Sequence, residues 1–574
     1  MKFTTLALLI ATSCVDTMAA SLDGSSDLQC RLLQMWRVLE GGDGSSESRY
    51  ECETTPEQEP DHFADMTYQI DLSEEFLAEN VIEQKIGNGE EVIISIPQGK
   101  AIRNDAAMDV IEYPVDANVT LVEKQNNKGG RRLQWYDGDT RDWTHGNKRM
   151  LVVRLQSLDA NVTLSREKLS GLIFGRGKFA EPVNVGTQFE SCSRGLLRML
   201  PAEGDSITDG VGEIMIPYET VGKNPRIYEN YIQRETSRKF AGGGRIQDQY
   251  DHVLYCYPKG AQMPGGFVGF AWSYTYRSFY NDDACGFLSI VMHEVGHNLG
   301  LGHAGRQGGN SDYGDVSGYM GHAHMTFGGP AMCFNGAKNW YLQWYHERRV
   351  ELNGSRAWTG KLVPFTQYEE TFEGEHVVMI KVGKYLLSYN KAETYNVGTK
   401  MFRNEISVTA IYNNQKSYNY GSMSRSDPVF AIDDFDETGY TLIIEACDFT
   451  EGDPEYFTMS IHLDNGYQNT FCGGRQQDHL LPTSWPTVSP SVSPSRYSPT
   501  DLPSFQPSVS AKPSTTPTRN ICEDKPGVVY YGLGCNYIAR FPDIVKTVCV
   551  PGTLAWDVCE DTCERCQDNC HDKP

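Results

Sequence analysis

The 574-residue sequence predicts an α+β domain built on a mixed sheet with one histidine-bearing helix, followed by an all-β sandwich-like module and a small disulfide-rich tail. Three observations carry that prediction. Between about residues 148 and 360, β-branched runs such as Leu151–Leu155 alternate with Gly-rich turns and lead to a helical segment ending near Leu299. From about residue 361 to 475, strand-like runs recur at His376–Val382, Ile406–Tyr412, Tyr440–Ala446 and Phe457–Leu463, separated by Gly, Asn and Asp turns. Finally, seven cysteines fall between Cys522 and Cys570, a density that marks a small module held by disulfides.

The remaining segments are read from the N-terminus. Met1 and Lys2, the apolar run Phe3–Ala11 and the small residues up to Ala19 and Ala20 have the layout of a secretory signal peptide over 1–20. No other stretch approaches the ~18 continuous apolar residues of a membrane span, so a soluble, extracellular chain is expected. Residues 21–147 are acidic, hold only Cys30 and Cys52, and alternate in runs such as Glu91–Ile96, which read as short strands. Two basic sites, Gly129-Gly130-Arg131-Arg132 and Lys148-Arg149, offer themselves to a processing protease or are plain exposed loops. Residues 476–520 are a Pro/Ser/Thr-rich linker with prolines at near-regular spacing, which favours an extended stalk. The tail is 521–574.

Charge narrows the partners. Lys plus Arg is 51 against 75 for Asp plus Glu, a net charge of −24 that repels phosphate backbones and anionic membranes, so nucleic acid is excluded as a partner. Sixteen cysteines suit an oxidising compartment, and Asn118, Asn161 and Asn353 stand in Asn-X-Ser/Thr triplets open to glycosylation there.

The chemistry lies in His293-Glu294-Val295-Gly296-His297-Asn298-Leu299-Gly300-Leu301-Gly302-His303. His293 and His297 are four apart, so on a helix both imidazoles share one face and can bind one tetrahedral metal. Glu294 sits one step round, within reach of a water at the metal. Gly300 supplies the positive φ that ends a helix and returns His303 as a third ligand. The short HExxH core arises by chance in roughly one chain of this length in fifty, the extended pattern in fewer than about one in ten thousand. The alternative is a helix whose histidines are satisfied by hydrogen bonds.

The extended motif resembles that of the metzincin zinc peptidases, which also place a Met turn beneath the metal. Asp315-Val316-Ser317-Gly318-Tyr319-Met320-Gly321 fits that place, with Met320 as the Met. With Leu299-Gly300-Leu301-Gly302-His303-Ala304-Gly305 and Cys333-Phe334-Asn335-Gly336-Ala337-Lys338-Asn339-Trp340, it looks like the gametolysin family, algal cell-wall-lytic metallopeptidases also called autolysins. The resemblance covers about residues 148–460 and implies a metzincin-like peptidase domain over 148–360. Some members begin the motif with Gln; His293 here implies an ordinary three-histidine site for one catalytic Zn²⁺.

What the resemblance implies is a secreted zinc endopeptidase acting on extracellular matrix or cell-wall glycoproteins, including hydroxyproline-rich ones. Zinc-bound water would attack the scissile carbonyl with Glu294 as general base. The run Gly266–Tyr276 would offer an edge for an extended peptide, or is a buried strand. Tyr319 is a candidate oxyanion donor, with packing as the plainer reading, and His322 and His324 read as surface histidines. Asp312, Asp315, Asp282 and Asp283 are candidates for a structural Ca²⁺ against a default of surface carboxylates. Residues 21–147 would form a propeptide, with Cys30 or Cys52 as a thiolate for the zinc or the two as a disulfide. In the tail, Cys559-Glu560-Asp561-Thr562-Cys563-Glu564-Arg565-Cys566 is similar to the end of ShKT modules, implying docking to wall or matrix, or a disulfide knot. The competing reading is a matrix- or cell-wall-binding protein whose metal site is structural.

Overall fold

The computed structural model describes residues 142–464, apart from Pro264, Gly265, Ala323, Ser355 and residues 413–415, together with Cys472 and seven strands between residues 27 and 121. Of the side chains on those seven strands, Leu33–Trp36 are described. The expected signal segment, the basic site at 129–132, the linker and the cysteine-rich tail lie outside the described residues.

The N-terminal strands are β1 (Asp27–Val38), β2 (Ser48–Thr54), β3 (Thr67–Gln69), β4 (Glu91–Ser95), β5 (Arg103–Asp105), β6 (Val110–Glu112) and β7 (Asn118–Leu121). They join β8 (Gly146–Gln156), β9 (Leu197–Pro201), β10 (Val211–Met215), β11 (His252–Tyr257), β12 (Gly269–Trp272) and β13 (Arg277–Asn281) in one 13-stranded mixed sheet. Its central path runs β10-β8-β11-β13-β12-β1-β2. Strands β8, β9, β10, β11 and β13 are parallel, whereas β12 lies antiparallel to both β13 and β1. The run Met150–Val153 is wholly buried, as a parallel strand covered on both faces requires.

Helices α1 (Arg166–Phe174), α2 (Val185–Cys192), α3 (Glu229–Phe240) and α4 (Leu288–Asn298) pack on this sheet. Their ends follow local chemistry. Ser165 caps α1 by accepting from Lys168 N, and Asn184 and Thr187 form a reciprocal capping box on α2. A fifth helix, α5 (Gly336–Leu342), begins at Asn335, whose side chain accepts from Lys338 N.

The β-rich region holds two further sheets. One has six strands, β14 (Ala304–Arg306), β21 (Ser417–Met423), β20 (Glu405–Ile411), β19 (Tyr385–Asn390), β18 (Met379–Val382) and β15 (Arg349–Leu352) in spatial order. The other has five, β17 (His376–Val377), β16 (Trp358–Leu362), β24 (Tyr456–Asp464), β23 (Thr441–Thr450) and β22 (Val429–Ile432). Ile380, Leu387 and Val408 of the first and Leu442, Ile444 and Ile461 of the second share one buried core. Strand β16 crosses the boundary expected at 360/361, and β14 draws residues just after His303 into the six-stranded sheet.

Disulfides pair Cys192 with Cys333, Cys256 with Cys285, and Cys447 with Cys472. One expectation is corrected here. Lys148-Arg149 lies inside β8, paired with Met199 and Leu200 of β9, with Lys148 buried and the Arg149 N–H and carbonyl both bonded to Asp251, so the bond is held in a strand rather than offered in an exposed loop. No helix among the described residues is long and apolar enough to cross a membrane.

Candidate metal centre

Helix α4 is buried along its whole length, which its apolar Leu288, Ile290, Val291, Met292 and Val295 favour. Asn298 pins its C-terminal end to the sheet, donating through Nδ2 to the carbonyls of Trp272 at 3.0 Å and Arg277 at 2.9 Å. Gly300 then turns the chain with φ +89°, its N–H donating to His297 O at 2.8 Å while Leu301 N donates to Gly296 O at 3.0 Å. A Cβ at Gly300 would lie 2.2 Å from the Tyr274 ring, so both conformation and space demand glycine.

That turn delivers His303 beside the helix pair. Ring centroids stand 4.8 Å apart for His293 and His297, 4.9 Å for His297 and His303, and 5.3 Å for His293 and His303. Each ring offers a nitrogen within 4.8 Å of the others, and all three residues are fully buried. His293 Nδ1 bonds the Tyr319 carbonyl at 2.8 Å and His297 Nδ1 the Leu301 carbonyl at 2.7 Å. A carbonyl only accepts, so Nδ1 carries the proton on both rings and Nε2 presents a lone pair. His303 is packed by Tyr313, whose ring is 4.1 Å away.

The polar atoms left over say what the site is for. The Nε2 atoms of His293 and His297, both ring nitrogens of His303 and both carboxylate oxygens of Glu294 are buried without a hydrogen-bond partner among the described residues. Such groups are costly to leave unmatched, and three neutral imidazoles converging in a closed site fit a metal ion with N ligands. Burial holds His293 down to about 4 and pushes His297 and His303 well below the usual imidazole range, so all three are in the neutral, ligating form at pH 7. Burial pushes Glu294 well above the usual carboxylate range.

Glu294 is seated against β12. A Cβ built on Gly269 would meet its Oε1 at 2.7 Å, so the absence of a side chain at 269 gives the carboxylate its room. On the other side of the helix, a Cβ on Gly296 would meet Met320 Sδ at 2.6 Å, which places Met320 directly beneath α4. The turn carrying Met320 is locked from several directions. Ala304 N donates to Met320 O at 2.8 Å, Asp315 N to Ala304 O at 3.0 Å, and the buried Asp315 carboxylate accepts from Ser317 and from Asn335 Nδ2. Lys338 Nζ and Ser417 N both donate to the His303 carbonyl, at 3.1 and 3.0 Å.

Other candidates fall elsewhere. Tyr319 is fully buried, its hydroxyl donating to Pro330 O at 2.8 Å and accepting from Met332 N at 3.3 Å, so it holds the fold and its backbone orients His293. The carboxylates weighed for calcium do not gather: Asp312 meets Lys416 and Tyr418, Asp282 meets Thr163, and no cluster of carboxylates among the described residues converges on a cation site. His322 is exposed and His324 half-buried, both outside the histidine cluster. Asn161 and Asn353 are exposed.

The N-terminal segment supplies a residue that sequence reasoning missed. Trp36 of β1 is 1% exposed and stacks on His297 with centroids 5.3 Å apart and planes 5° from parallel. It meets His303 edge-on at 4.7 Å, and its Nε1 donates to Ser273 Oγ at 2.8 Å. The cysteines considered for this position are remote. Cys30 is six residues back along the same strand, roughly 20 Å at about 3.3 Å per residue, and Cys52 pairs opposite Leu32. No signal in the sequence separated Trp36 from the chain's other tryptophans.

Comparison with known proteins agrees with the site. Residues 210–359, which hold β12, α4, the three histidines and Met320, match the model of the family described as Gametolysin peptidase M11. None of the curated proteins matches the chain. Among solved structures it is similar to wild-type OgpA from Akkermansia muciniphila in two crystal forms, each with 14% identity and a TM-score of 0.24, covering 49% of this chain and 94% or 93% of the other. The segment that holds the histidine cluster is thus similar to the gametolysin metallopeptidases, which supports a metallopeptidase.

Proposed function

We propose that the protein is a secreted, zinc-dependent endopeptidase that cleaves extracellular matrix or cell-wall glycoproteins, with Glu294 as its general base. One observation carries the reading: a buried carboxylate without a hydrogen-bond partner lies one residue from the first of three converging imidazoles, each of which has at least one ring nitrogen left unmatched. A metal site that only held the fold together would need the ligands and not the base. His293, His297 and His303 would hold the zinc, which when bound would supply Lewis-acid chemistry at the scissile carbonyl. Glu294 takes the proton from the attacking water and returns it to the departing amine. Its elevated affinity for a proton, a consequence of burial, suits the first half of that task. The carbonyls of Tyr319 and Leu301 fix the tautomers of His293 and His297, and Met320 sets the floor under α4.

Secretion is supported by the signal-like N-terminus and by three disulfides among the described residues, and the exposure of Asn161 and Asn353 suits glycans there. The substrate class rests on the family resemblance, and the tail module is proposed as a docking appendage on its stalk. The test is hydrolysis of denatured casein by processed enzyme, wild type against Glu294→Gln, with zinc content measured on both. Retained zinc with a loss of roughly 10²–10⁴-fold in kcat supports the assignment. Equal rates remove Glu294 as base, and a wild type that binds zinc but cleaves no protein substrate removes the peptidase.

A further inference from the structure

We propose that β1 is a built-in inhibitory strand, with the Trp36 indole capping the histidine cluster so that the chain stays latent until β1 is withdrawn. The inference rests on the peptidase reading and concerns regulation of the same site.

Strand β1 occupies the edge that a peptide would need. Met35–Val38 pair antiparallel with β12 in the register Met35 with Trp272, Trp36 with Ala271, Arg37 with Phe270 and Val38 with Gly269. Ser273 N adds a bond to Gln34 O at 3.1 Å. Among the described residues β12 is bordered by β13 on one side and β1 on the other, so removal of β1 leaves its outer edge open for strand addition.

The same register spans the chemistry. Gly269, opposite Val38, is the residue against which Glu294 is seated, and Trp36, two residues earlier, lies on the rings of His297 and His303. Trp36–Val38 therefore runs from the metal ligands to the base, the path a scissile peptide must follow to be attacked. At that point the Trp36 indole lies against the rings of two of the three histidines, over the place an approaching peptide would need. The ring is fastened by the indole N–H to Ser273 Oγ and lies 5.5 Å from Lys416 Nζ. A large aromatic side chain buried to this extent, with its one donor satisfied, is a seated group rather than an incidental neighbour.

Covalent release is compatible with this arrangement. Of the two basic sites in the sequence, Lys148-Arg149 is held in β8, which leaves Arg131-Arg132, after the seven N-terminal strands and before the metal-centre segment in the sequence, as the place where cleavage would separate β1 from the rest of the chain.

The experiment compares full-length wild type, Trp36→Ala and Ser273→Ala. Each is measured for the rate at which zinc passes to excess dipicolinate and for casein hydrolysis before and after limited trypsin cleavage at Arg131-Arg132. Before cleavage, Trp36→Ala should lose zinc and hydrolyse casein at least tenfold faster than wild type, and cleavage should bring wild type up to the variant. Ser273→Ala should fall between them. Equal zinc-transfer rates in wild type and Trp36→Ala overturn the cap, and if Trp36→Ala fails to be secreted, equal rates in wild type and Ser273→Ala do so. Failure of the peptidase reading looks different: no form hydrolyses casein even after trypsin, while the zinc-transfer rates still decide whether Trp36 covers the site.

Discussion

Substitution of Gly269 by Ala isolates the placement of Glu294, the proposed general base, from metal binding. The added Cβ would stand 2.7 Å from Glu294 Oε1, 3.0 Å from its Cγ and 3.1 Å from its Cδ. Ordinary van der Waals contact begins near 3.4 Å, so the carboxylate must retreat by about 0.7 Å or the strand must move by as much. A misplacement of about 1 Å costs about 10²-fold in rate, so the expected loss in kcat is roughly ten- to a hundred-fold, or about 1.4–2.7 kcal/mol of barrier. Alanine keeps the backbone N–H and C=O of β12, so a peptide that adds to this edge should bind with nearly unchanged KM. The three histidines are not touched, and zinc content should stay at wild-type level. The assay is steady-state hydrolysis of a fluorogenic peptide by the processed enzyme, with zinc quantified and the melting temperature recorded to separate overpacking, typically 1–3 kcal/mol, from loss of chemistry. A variant with wild-type kcat would refute the seating of Glu294 against β12, and one that loses zinc would show that the strand, not the carboxylate, had moved.

Three further outcomes follow from the same geometry. Gly300→Ala places a side chain 2.2 Å from the Tyr274 ring at φ +89°, which displaces His303 and should lower zinc affinity by at least tenfold, measured by competition with a chelator. In the metal-free protein His293 is neutral down to about 4 against an ordinary 6.5, so as pH falls below 6.5 the unfolded chain takes up the proton first; about 3 kcal/mol of stability from this residue alone should drain away between pH 6.5 and 4, and a flat urea-unfolding profile over that window would contradict it. Replacing both Cys192 and Cys333 by Ser opens a loop with a sequence separation of 141 and should destabilise the protein by about 2–5 kcal/mol in denaturant titration.

The histidine cluster was legible in the sequence because its members are local. His293 and His297 share a face through helix periodicity, and Gly300 announces the turn that brings His303 back, so spacing alone encodes the triad. Met320 needed the family pattern, since nothing in the distance from 297 to 320 says that the chain returns under α4. The glycines that make room at the site, Gly269 for Glu294 and Gly296 for Met320, were invisible as such, because a close approach depends on which elements face each other. Trp36 was illegible for the same reason in stronger form. Its partners are more than 230 residues away, and its role depends on the register of an antiparallel pair, which the pattern of neither strand specifies. Composition turned attention to cysteines in that segment, because thiolates have an obvious chemistry with zinc and an indole has none.

The β-rich region reads in sequence as a separate module, yet the placement of His303, the proposed third ligand, depends on it. The residues immediately after His303 form β14, whose register with β21 pairs Ala304 with Ser417 and Arg306 with Asn419. The His303 carbonyl accepts from Ser417 N of that strand and from the buried Lys338 Nζ, so the backbone of the ligand is fixed partly by residues more than 100 positions downstream. Asn335 Nδ2 links the buried Asp315 of the Met320 turn to Ser417 Oγ as well. A chain ended at residue 360 would keep every ligand and Glu294 but lose β21, exposing the sheet edge of β14 and leaving Asp315 and Lys338 without part of their surroundings. Such a truncation should be poorly secreted, and any that folds should bind zinc at least tenfold more weakly, measured against full-length protein by chelator competition. A 1–360 chain with wild-type zinc affinity and melting temperature would show instead that the β-rich region is an appendage, and that helix α4 and its turn organise the metal centre alone.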